Sequence, residues 1–173
     1  MQQLIMRWTH DGTPAVMPEM PDGMSIRAFP DVPNAVEEWL DIVQCGLSEK
    51  RENADFYRKY MAECPGYRED KCFFVFVDDR PVASFTVICN EETREGYLHM
   101  VACKEACRGR GIGTRMNEYA LYVLKREGMT HAHLTTDDFR IPAIKSYLRA
   151  GFVPDESTDD FRRRWEAIRE KLA

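Results

Sequence analysis

Arg108-Gly109-Arg110-Gly111-Ile112-Gly113-Thr114 is the segment that most restricts how this 173-residue chain can fold. An apolar run, Tyr97-Leu98-His99-Met100-Val101-Ala102, precedes it, and an amphipathic helical pattern follows. A strand, a glycine-rich turn and a helix start, in that order, build an anion site. Gly109, Gly111 and Gly113 let the backbone turn tightly and come close to a ligand. The helix start presents unpaired N–H groups and the positive end of the helix dipole. A phosphate or pyrophosphate suits that arrangement, and Arg108, Arg110 and Arg115 add charge.

The spacing excludes two common phosphate loops. A P-loop requires Gly-Lys-Ser/Thr, whereas Gly113 is followed by Thr114-Arg115. A dinucleotide fingerprint requires G-x-G-x-x-G, usually in a first βα turn. Here the glycines alternate, two-thirds of the way along the chain. R-x-x-G-x-G does fit. With Val101-Ala102-Cys103-Lys104-Glu105-Ala106-Cys107 before it, the loop resembles the pyrophosphate loop of the GNAT superfamily of acyl-CoA-dependent N-acyltransferases. Further on, Ala143-Ile144-Lys145-Ser146-Tyr147-Leu148-Arg149-Ala150-Gly151-Phe152 resembles the A-I-x-x-Y-x-x-x-G-F block of the same family. The likeness spans about Cys72 to Val153. It departs at Glu105, where many relatives carry Pro, at Cys107, where many carry an aromatic, and at Arg140, where many carry Asn.

The resemblance implies a single α/β domain over 1–173, with a mixed, largely antiparallel central sheet flanked by helices. The cofactor-binding core lies at about 72–153, and a strand and helices at 24–66 shape the acceptor pocket; the residue pattern at 157–173 adds an extra C-terminal helix where the family usually has a further strand. The resemblance also implies acetyl transfer from acetyl-CoA to a primary amine by direct attack. Val101 and Cys103 would pair their backbone with the pantetheine arm, beside a bulge in their strand. The amides from Gly109 through Arg110, Gly111, Ile112 and Gly113 to Thr114 would take the pyrophosphate, with Arg108 beside them. Arg140 would meet a phosphate of the cofactor. Tyr147 matches the tyrosine that protonates the departing thiolate, and a phenol carries its proton at neutral pH. His99 stands two residues before Val101, where arylalkylamine acetyltransferases place a histidine in a proton path; imidazole titrates near neutrality. Glu95, at the start of the strand, is the alternate base.

Composition narrows the partners. The net charge of −5 disfavours general nucleic-acid binding. No apolar run approaches the ~20 residues that span a membrane, and the first residues lack the pattern of a secretory signal, so the expected compartment is the cytoplasm. The six cysteines show no C-x-x-C pair and read as free thiols. His131 and His133 share one strand face, but spacing supplies no third ligand, so no metal is assigned. Cys103 and Cys107, near a helix start, are weighed as nucleophiles and set aside, because the resembled mechanism needs no acyl-enzyme. Arg162-Arg163-Arg164 reads as the solvated face of the last helix, with Trp165 and Ile168 docking it on the domain or joining a homodimer interface.

Local patterns set the remaining expectations. Leu4–Trp8 reads as a short strand, and Met24–Phe29 as another ended by Pro30. Asn34 caps a helix carrying Val36, Trp39, Leu40 and Val43, which Gly46 stops. A second helix carries Phe56, Tyr57, Tyr60, Met61 and Cys64. Cys72–Val77 and Pro81–Cys89 form a hairpin around Asp78-Asp79-Arg80. Tyr97–Cys103 and His131–Thr136 are strands, and Asp159–Leu172 is a helix. The acceptor is a small-molecule, peptide or protein amine. The rival reading is a non-catalytic acyl-CoA sensor, which keeps the loop and dispenses with the proton-transfer groups.

Overall fold

The computed structural model describes residues 2–45, 47–48 and 50–172. The apolar runs become strands β1 (Leu4–Thr9), β2 (Met24–Ala28), β3 (Cys72–Val77), β4 (Arg80–Asn90), β5 (Glu95–Cys103), β6 (His131–Thr136) and β7 (Val153–Pro154). They join one sheet in the order β2-β3-β4-β5-β6-β1-β7. Neighbours are antiparallel except β5 and β6, which run parallel. A parallel pair needs a crossover connection, and helix α3 (Ile112–Arg126) supplies it. The β3–β4 hairpin turns on Asp78 and Asp79, both left-handed at φ 48 and 59. That two-residue geometry matches the twist of the strands, and Asp tolerates it.

Helices cover both faces. On one side lie α1 (Ala35–Val43) and α2 (Ala54–Tyr57), with Trp39, Met61 and Phe74 at the centre of the packing. On the other lie α3, α4 (Ile141–Arg149) and α5 (Asp159–Leu172), packed through Met116, Leu124, Ile144 and Trp165. The expected stripe of Ile112, Met116, Ala120, Val123 and Leu124 is buried throughout. Trp165 and Ile168 are each 1% exposed, so both dock α5 onto its own domain. The Trp165 indole also donates to the Asp155 carbonyl at 3.1 Å. Trp165→Ala is therefore expected to cost about 3–5 kcal/mol of stability, readable from the urea midpoint.

Four expectations need correction, and a fifth, on Gly46, is not tested by the described residues. Asn34 precedes α1 in the left-handed region (φ 53), and its side chain makes no cap bond; the turn constrains its backbone instead. Gly46, expected to end α1, lies outside the described residues. Phe29-Pro30-Asp31 leaves the strand and forms a tight 3₁₀ turn, with Phe29 folded into the core. The second helix is only one α turn, capped by the Asn53 side chain, before Arg58–Ala62 widens into a π turn closed by the Glu63 N–H to the Arg58 carbonyl. The wide turn buries both Tyr57 and Met61 while leaving Tyr60 exposed. Finally, Arg164 is not a solvated cation. Its side chain is 9% exposed and forks onto Asp138.

Candidate active site

β5 and β6 pair only where Glu95–Leu98 face His131–Leu134. Beyond that they part. The cause lies across β5: Ser84 and Thr86 of β4 oppose Ala102 and His99, so Phe85 alone faces two residues, Met100 and Val101. The extra residue is accommodated at Met100, which is left-handed at φ 50. Such a bulge bends its strand and breaks pairing. Past it, Val101 and Cys103 turn towards the α3–α4 side and Ala102 towards α1.

At the end of β5 the chain makes one 3₁₀ turn, Glu105–Cys107, and enters the glycine loop. Gly109 and Gly111 both have φ +76, a backbone region that side chains rarely adopt. A Cβ at either would meet nothing within 4 Å, so the loop borders open space rather than packed protein. Gly111 is also the residue from which α3 starts. The first N–H groups of α3 therefore project, with the dipole behind them, into a cleft of about 590 Å³.

Val101 and Cys103 line this cleft, as do Arg108, Gly109, Gly111, Ile112, Gly113 and Thr114. Arg140 and Tyr147 close it from the α4 side. Arg110 does not line it and is exposed on the outside of the loop. Two arginines already have partners. Arg108 donates to the carbonyls of Cys45 and Cys103, tying the loop to the segment after α1. Arg140 donates to Asp137 at 2.8 Å. Lys145 and Arg149, one turn apart on α4, add charge to the wall. Open backbone, helix N-terminus and cationic wall fit the diphosphate of CoA. Tyr147 is buried, and desolvation pushes its phenol up to about 12. The Cys103 thiol is likewise pushed up to about 11 by burial, which leaves it a poor nucleophile.

His99 and Glu95 lie outside the lining of the cleft, on the sheet face towards α1 and α2. His99 donates from Nε2 to the Tyr60 carbonyl at 2.8 Å. A carbonyl only accepts, so this bond leaves Nδ1 with its lone pair. Burial lowers the His99 pKa below its ordinary value, and a neutral imidazole results at pH 7. Glu95 instead accepts from His133 Nδ1 at 2.8 Å. The His133 ring stacks on Tyr97 with centroids 4.7 Å apart, and Tyr97 lies 5.0 Å from His99. Among the described residues no cluster of three or more His, Cys, Asp or Glu is arranged to hold a metal ion.

Several lining residues escaped the sequence reading. Asn117 on α3 donates to Ser146 on α4 at 2.9 Å, bracing the two helices that flank the cleft. Phe139 stands at the rim, 73% exposed. Only the i, i+4 spacing of Lys145 and Arg149 was a legible signal.

The sequence pattern of the acetyltransferase (GNAT) family matches residues 36–152. The chain is 31% identical over 123 residues to N-alpha-acetyltransferase 30 of Schizosaccharomyces pombe, covering 68% of this chain and 77% of that protein. Among solved structures, a GCN5-related N-acetyltransferase from Sphaerobacter thermophilus superposes with a TM-score of 0.68 at 21% identity, over 90% of this chain and 50% of that one. Ard1 from Thermoplasma volcanium superposes with a TM-score of 0.60 at 22% identity, over 76% and 83%. The chain belongs to the GNAT family of acetyltransferases, whose class is acetyl-CoA-dependent N-acetyl transfer. It spans half the length of the Sphaerobacter protein. Among the described residues no helix is long and apolar enough to cross a membrane.

Proposed function

We propose that this chain transfers an acetyl group from acetyl-CoA to the α-amine of a peptide or protein. The observation that carries the reading is the open glycine loop at the head of a cleft that runs past the β5–β6 gap to Tyr147. The choice of an α-amine rests on the likeness to N-alpha-acetyltransferase 30. Acetyl-CoA supplies the activated acetyl group as a thioester. Amides from Gly109 to Thr114 hold the diphosphate, and the backbone at Val101 and Cys103, past the end of the β5–β6 pairing, holds the pantetheine arm.

The acceptor reaches the gap from the face that carries His99. His99 Nδ1 takes one proton from the ammonium, and the neutral amine attacks. As the N–C bond forms and the C–S bond breaks, Tyr147 gives its proton to the departing sulfur. The second proton of the amine restores the phenol, and His99 releases its own to solvent. Glu95 is committed to its hydrogen bond with His133, and His99 serves as the base.

The test is CoA thiol release with three acceptor sets: peptides with free α-amines, α-blocked peptides bearing lysine, and small polyamines. Turnover confined to free α-amines is expected. Turnover confined to the other sets would move the acceptor class, and CoA binding with no turnover on any set would favour the sensor reading.

A further inference from the structure

Phe139 and Arg140, at the rim of the cleft, sit in a loop held from outside the site. Arg164 of α5 donates to Asp138 from Nε at 2.9 Å and from Nη2, a forked pair. It also donates from Nη1 to the Gln2 carbonyl at 3.0 Å. The next carboxylate, Asp137, accepts from Gln3 at 3.0 Å and from Arg140 at 2.8 Å. The Arg164 side chain is only 9% exposed, does not line the cleft, and follows two solvent-exposed arginines on the same helix. Its planar fork fixes both the position and the orientation of a carboxylate, which a lysine point charge does not. Trp165, the next residue, anchors the helix that carries it.

We infer that Arg164 is a positioning residue for the cofactor cleft: through Asp138 it holds the loop that presents Phe139 and Arg140, so that α5 sets the affinity for CoA. This rests on the reading of the cleft as a CoA site. Without the fork, the loop loses its tie to α5 and samples more conformations, and CoA binding must then order it.

The experiment is calorimetric titration with CoA at a temperature where every variant is folded, with thermal midpoints recorded alongside. Arg164→Ala and Asp138→Asn are each expected to raise the Kd about tenfold, and Arg164→Lys to recover only part of the loss. The double variant should be no worse than either single one, since both break the same pair. Arg162→Ala, on the exposed face of α5, should bind like the unaltered protein. A purely structural Arg164 would lower the thermal midpoint and leave the Kd unchanged. Arg164→Ala and Asp138→Asn binding CoA within about twofold of the unaltered protein, less than the smallest coupling expected of a remote site, would overturn the inference alone. Failure of the unaltered protein to bind CoA would instead overturn the reading of the cleft, and this inference with it.

Discussion

Gly111→Glu is expected to abolish measurable CoA binding while leaving the protein folded. Gly111 has φ +76 and opens α3. A side chain there pays backbone strain of about 1–3 kcal/mol. The larger effect is electrostatic. The new carboxylate occupies the open space at the head of the cleft and takes the place of the diphosphate before the first N–H groups of α3. Because no atom lies within 4 Å of a Cβ built at this position, steric unfolding is not the expected route to the loss. That electrostatic effect should weaken CoA by at least about a hundredfold, or roughly 3 kcal/mol, while the strain falls on stability. Titration calorimetry reads the affinity, and circular dichroism reports the fold. Unchanged affinity in a folded variant would remove the loop from the cofactor site.

Tyr147→Phe is expected to lower kcat about a hundredfold, the scale of a lost general acid. The ring still fills its place against Phe152, whose centroid lies 6.2 Å away, so stability should barely change. The pH profile separates the roles. Burial pushes the Tyr147 phenol up to about 12, so it stays protonated across the working range and imposes no alkaline limb below about pH 11. The acid limb belongs to His99, whose burial lowers its pKa below the ordinary ~6.5. Below that pKa the imidazole is charged and cannot accept, so kcat/KM rises with pH through it and then levels. Tyr147→Phe should keep that acid limb, and His99→Gln should remove it. Full turnover of Tyr147→Phe at every pH would assign the proton to another group.

The elements that were legible in the sequence are those whose signal is local. The helical stripe from Ile112 to Leu124 is a repeat within one helix, and it is buried as the spacing predicts. The Asp78-Asp79 hairpin depends on a few adjacent residues, and so does the glycine loop. Expectations failed where a partner lay elsewhere. Residue type alone makes Asn34 a cap, but the chain enters α1 through a left-handed turn and the side chain makes no cap bond. The second helix carries helical spacing, yet after one α turn it widens into a π turn that buries Met61, and the Tyr60 carbonyl receives the His99 N–H.

The charged groups show the same division. Arg164 belongs to a run of three arginines that looks solvated, but α5 meets the loop that carries Asp138 and shields only the third. His133 and Glu95 lie 38 residues apart and meet because β5 and β6 run parallel as neighbours. By itself the sequence determined the strand–loop–helix anion site, the two family blocks and most element boundaries, because each follows from sterics and periodicity within a short stretch. Tertiary structure decided which cations face the cleft and which are already paired. It also decided which imidazole keeps a lone pair and where β5 leaves β6, because those depend on contacts between segments whose relative placement only the packed sheet defines.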